Sequence, residues 1–96
     1  MNKTVIVNLI WPTEESGGRK HIFPKGMRYS PIAIVDGGEN LDSQWGVFVT
    51  NISIEGRVSV AEMSYVMENA PHHLLVPGAT VVLYDGPRVI ADGVIQ

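Results

Sequence analysis

Residues Val58–Met67, VSVAEMSYVM, can be read with two different periods, and the choice decides the class of the fold. Ala61, Met63, Tyr65 and Met67 alternate with Glu62, Ser64 and Val66, as one face of a β-strand requires. The same stretch contains Ser59-Val60-Ala61-Glu62, an S-x-x-E capping box, followed by Met63, Val66, Met67 and Ala70 at helical spacing. The strand is preferred, because Val58 and Val60 are poor residues with which to open a helix and good ones within a sheet. One short helix near 60–68 stays open as the alternative.

Outward from this stretch the signals are those of strands and turns. Glu55-Gly56-Arg57 connects it to WGVFVTNISI, a long β-rich run starting at Trp45. Before that, DGGENLDSQ from Asp36 has loop or bulge chemistry, with Gly37-Gly38 as turn formers and Asp36 and Glu39 as solvated acids. Met27–Val35 reads as extended, with Pro31 favouring an edge position or a bulge. At the N-terminus Val5, Val7 and Leu9 alternate with Ile6, Asn8 and Ile10 until Trp11-Pro12 ends the run. Downstream, Pro77-Gly78 suits the centre of a type II turn, and Asp85-Gly86-Pro87 makes a second tight connection before the last strand. These elements predict an all-β fold of about six strands over residues 1–96, one domain: a small barrel or sandwich. Val5, Val7, Phe48, Val81, Leu83, Val94 and Ile95 are the expected core contributors.

A chain of 96 residues, 45% apolar and 18% charged, has the composition of a globular domain with a single modest core. It has no cysteine, which excludes disulfides and thiolate metal sites and fits a reducing compartment, so a cytoplasmic location is expected. The N-terminal apolar run alternates with polar residues and lacks a cleavage pattern, and no run approaches the ~18 residues of a membrane span. No membrane partner is expected.

The chemistry concentrates in SGGRKHIFPKGMRYSP, Ser16–Pro31. Arg19, Lys20, Lys25 and Arg28 give residues 19–28 a formal charge of +4 with no acid, while the remainder, with three basic and ten acidic residues, carries −7. Gly17, Gly18 and Gly26 flank those cations. The pattern is either a solvated loop, with Arg19 and Arg28 paired to Glu14, Glu15 or another loop's acid, or a contact surface for an acidic partner. RNA is the alternative partner, although Phe23 and Tyr29 are the only aromatics near the basic residues.

Two segments resemble the C-terminal β-barrel domain of elongation factor Tu. In VNLIWPTEESGGRKHIFPKGMRYSPIAI the similarity rests on Gly17, Gly18, Arg19, Phe23, Lys25, Gly26 and Arg28. In VVLYDGPRVIADGVI it rests on Asp85, Gly86, Arg88, Gly93, Val94 and Ile95. The middle, residues 36–76, is similar in pattern only. Pro87 stands where that barrel's last turn has a second glycine, Asp92 replaces a small residue, and Pro24 is an insertion between Phe23 and Lys25. The resemblance selects the barrel, a small, closed or partly closed antiparallel one of about six strands, and implies that it docks against proteins or holds a tRNA stem. A stand-alone copy would mimic or block a translation-factor contact, or neutralise a toxin aimed at one. The expected contact residues are Gly17, Gly18, Arg19, Lys20, Lys25 and Arg28.

Other chemistries find little footing. No phosphate-cradling G-x-x-x-x-G-K-[ST] motif occurs, so no nucleotide partner or GTPase is expected. The serines form no G-x-S-x-G elbow, no Ser, His and Asp set is suggested, and an enzyme is not expected. His21, His72 and His73 lack a carboxylate at ligand spacing, and adjacent histidines on a strand would face opposite ways. No metal or cofactor is therefore expected. Asn2 and Asn51 open N-x-[ST] sequences that carry little meaning without a secretory signal.

Overall fold

The alternating apolar segments form seven strands in a computed structural model that describes residues 3–35 and 44–96. The loop features expected at 36–43 and the acceptor sequence at Asn2 lie outside the described residues. The strands are β1 (Thr4–Ile10), β2 (Arg28–Tyr29), β3 (Ile32–Val35), β4 (Gln44–Glu55), β5 (Val58–Tyr65), β6 (Thr80–Asp85) and β7 (Arg88–Ile95). All pairings are antiparallel, in the order β4-β3-β6-β7-β1-β5, and a β4–β5 pairing closes the ring into a six-stranded barrel. Closure removes the exposed strand edges that an open sheet of this size would present.

Val58–Tyr65 is a strand, and the helical alternative is not adopted. Ser59 faces the interior and its hydroxyl accepts from the Trp11 indole, so it caps nothing. Ala61, Met63 and Tyr65 line the core, whereas Met67 lies beyond the strand and is exposed. Val7, Val81, Leu83 and Ile95 are buried as expected, joined by Trp11, Val47, Val49, Ile90 and others. Val5, half-buried, packs against this core at one mouth of the barrel. Two expected core residues need correction. Phe48 is half-buried on the outer face, beneath Arg28. Val94 is 44% exposed, because it adjoins inward-facing Ile95 and a regular strand sends neighbours to opposite faces. Ile90 and Ala91 are both buried only because a bulge interrupts the β6–β7 register there.

Local chemistry accounts for the turns. Gly56 and Gly86 have φ of +62° and +61°, and among the described residues no non-glycine has positive φ, so both two-residue hairpins have the type II′ form. Pro87 enforces this in the last hairpin by fixing a negative φ at the second turn position. Gly78 has φ +89° and Ala79 N–H donates to the Val76 carbonyl at 3.1 Å, closing the expected turn. His72 and His73 sit in a 3-10 turn, His72–Leu74, rather than on a strand.

Pro31 lies between β2 and β3, which follow one continuous register along the same side of β4. Its carbonyl accepts from Val47 N–H at 3.0 Å, while the missing donor leaves a gap in the ladder. The break separates two roles. β3 pairs with both β4 and β6, whereas β2 pairs with β4 alone.

Candidate functional site

The connection from Trp11 to Met27, the β4–β5 hairpin and the β6–β7 hairpin lie at one end of the barrel, as the registers of β1 with β5 and β7 require. The connection begins with a 3-10 turn, Glu14–Ser16, ended by Gly17 at φ +89°. Gly18 is buried against Pro12, where a Cβ would overlap the Pro12 carbonyl oxygen. Both glycines therefore serve the path of the chain.

Arg57, from the β4–β5 hairpin, fastens this connection. Its guanidinium donates to the carbonyls of Trp11 at 3.0 Å, Pro12 at 2.6 Å, Arg19 at 2.7 Å and Lys20 at 3.3 Å. Sequence reading did not single out Arg57; Arg57 is separated from its acceptors by 37 to 46 positions, and a lone arginine in a turn gives no sign of them. A second anchor is Asn51, fully buried in β4, which donates to the Phe23 carbonyl at 2.9 Å and accepts from Gly26 N–H through its backbone at 2.9 Å. Gly26, at φ +82°, occupies the third position of the turn Pro24–Met27 and leaves Lys25 exposed at its tip.

The four cations are presented in two ways. Arg19 is half-buried, its guanidinium 4.1 Å from the Phe23 ring centre, and its Nε donates to the His21 carbonyl at 3.1 Å. Phe23 in turn stacks on Tyr29 at 4.0 Å, and Tyr29 meets Trp11 at 5.9 Å, forming a column that closes this end of the barrel. Arg28 lies 3.9 Å from the centre of Phe48, a diagonal neighbour on β4. Lys20 and Lys25 are exposed. Among the described residues no carboxylate forms an ion pair with any of the four, so the expected alternative of Arg19 or Arg28 pairing with Glu14 or Glu15 is not adopted. Those acids instead share an open depression with Thr13, Lys20 and Arg57.

Beside the aromatic column is a notch of about 120 Å³ between β2 and the β6–β7 hairpin, lined by Phe23, Tyr29, Ser30, Pro31, Asp85 and Ile90. Tyr29 is 8% exposed and its hydroxyl has no hydrogen-bond partner among the described residues. Burial pushes its phenol well above the ordinary range, with the Arg19 charge opposing, so it remains a neutral donor. At the other end of the barrel His72 Nε2 lies 3.0 Å from the Glu68 carbonyl and its ring meets Tyr65 edge-on at 5.4 Å. Among the described residues no cluster of His, Asp or Glu is placed to hold a metal, and no helix is long and apolar enough to cross a membrane. No protein-family model matches the chain, and no curated protein matches it.

Proposed function

We propose that the chain is a non-enzymatic binding module: an elongation-factor-like β-barrel that docks an acidic protein partner through Gly17–Arg28. The observation that carries this reading is a set of four cations, none in an ion pair among the described residues, on a backbone pinned by Arg57 and Asn51. An anchored loop loses little conformational freedom on binding, and its charge accelerates encounter with an acidic surface. The resemblance to the elongation factor Tu barrel supplies the kind of contact to be mimicked or blocked, that of a translation factor or of a toxin directed at one.

RNA is the second reading, and the aromatic geometry disfavours it. Phe23 lies between Arg19 and Tyr29, and Tyr29 is buried, so neither ring offers a base a free face. The test is affinity capture from cells with the parent chain and with the Lys20→Glu/Lys25→Glu variant. Both lysines are exposed, so folding stability should change by less than about 0.5 kcal/mol. A protein captured by the parent should bind the variant more weakly, through slower association that depends strongly on salt. Equal capture at low salt refutes the loop as the contact surface.

A further inference from the structure

The ladder that seats β2 leaves half of its backbone unused. Because the Pro31 carbonyl accepts from Val47, the alternation of an antiparallel pair directs the N–H and C=O of Tyr29 toward Val49. Those of Arg28 and Ser30 then face the opposite side. There β3 continues to pair with β6, but that pairing ends at Ile32 with Tyr84, and the chain turns away at Gly86-Pro87. Ser30 consequently has no backbone hydrogen bond among the described residues. In an otherwise closed barrel, this is a short free edge.

Two further features point to an occupant of that edge. The notch beside it, about 120 Å³, is well below the ~300–1,000 Å³ of small-molecule sites and matches a single side chain. Tyr29 lines this notch, and its buried hydroxyl has no hydrogen-bond partner among the described residues. Arg19 lies over the lining Phe23 ring and Arg28 precedes Tyr29 on the same short strand, while the one lining carboxylate, Asp85, has Arg88 as its cross-strand partner. We infer that the edge of β2 is a strand-addition site: an extended acidic segment of the partner pairs its backbone with Arg28 and Ser30 and sets one hydrogen-bond-accepting side chain into the notch at Tyr29. The inference rests on the docking role proposed above for Gly17–Arg28 and adds the conformation of what docks.

The probe is a capped peptide of alternating Glu and Thr residues, titrated into the full chain and followed by amide NMR and hydrogen exchange. Saturation should protect the Arg28 and Ser30 amides. Ser30→Pro, which removes one of the free donors, should weaken binding by about tenfold. Tyr29→Phe, which keeps the ring in its stack and removes only the hydroxyl, should also weaken it and provides the same test if Ser30→Pro does not fold. Strand addition is overturned if the peptide does not bind, if these amides stay unprotected at saturation, or if folded Ser30→Pro and Tyr29→Phe both bind like the parent. Loss of binding in Lys20→Glu/Lys25→Glu together with parent-like binding in Ser30→Pro and Tyr29→Phe leaves the basic loop as the contact and removes the strand. The reverse pattern supports the strand and removes the loop. A uridine oligonucleotide that binds where the peptide does not overturns both in favour of RNA.

Discussion

The indole N–H of Trp11 donates to the hydroxyl of Ser59 at 2.9 Å, joining two buried residues 48 positions apart where β1 leaves the barrel and β5 enters it. Trp11 is thereby both the floor of the aromatic column and a tie between the first strand and the hairpin that carries Arg57. Ser59→Ala leaves the indole donor buried and unpaired. It should lower stability by about 1–3 kcal/mol. Urea unfolding should show a lower midpoint with an unchanged slope, and Ser64→Ala, which faces away from the core on the same strand, should change stability by less than about 0.5 kcal/mol.

Gly93 and Gly78 separate two reasons for needing glycine. A Cβ at Gly93 would overlap the carbonyl oxygen of Asn8 on the adjacent strand, so Gly93→Ala must push β1 and β7 apart. The expected loss is at least about 1–3 kcal/mol, the range for overpacking. Gly78 has open space for a Cβ but a φ of +89°, so Gly78→Ala should cost only about 1–2 kcal/mol. Thermal melts of the two variants should rank in that order.

Arg57→Lys retains the charge and loses the planar fork that reaches several carbonyls at once. Hydrogen exchange in residues 12–20 should accelerate in this variant, while amides of β6 and β7 remain as protected as in the parent. Uniform acceleration throughout the barrel would show that Arg57 supports the whole fold and not this connection.

Alkaline pH should expose the burial of Tyr29. Its folded-state pKa lies above the unfolded value, so the unfolded chain releases the proton first and stability falls as pH rises. The contribution is intact below about pH 10 and is lost above it. Tyr29→Phe should flatten the alkaline decline of the melting temperature, leaving the share due to Tyr65, whose phenol burial also raises. At neutral pH the same variant should be as stable as the parent or more so, since the hydroxyl it removes has no partner.

The strand alternation, the Gly78 turn and the two hairpins were legible because each depends on residues within a few positions of one another. The capping box at Ser59 misleads because its local pattern competes with a distant partner, Trp11, that only the assembled barrel provides. Val94 and Ile95 cannot both be core residues as the sequence suggests, because one face of a regular strand does not accept two neighbours. The basic segment was visible as a cluster of charge. Its division into two arginines laid on Phe23 and Phe48 and two exposed lysines was not.

An all-β chain, its turn positions and the concentration of positive charge between Arg19 and Arg28 follow from the order of residues alone, since period, φ preference and composition are local quantities. Closure of the barrel by β4 and β5, the anchoring of the Trp11–Met27 connection by Arg57 and Asn51, and the free edge at Ser30 were decided by the tertiary structure. Each depends on hydrogen bonds between residues tens of positions apart. Such bonds form once the register of all strands is fixed together, and no short stretch of the chain encodes them.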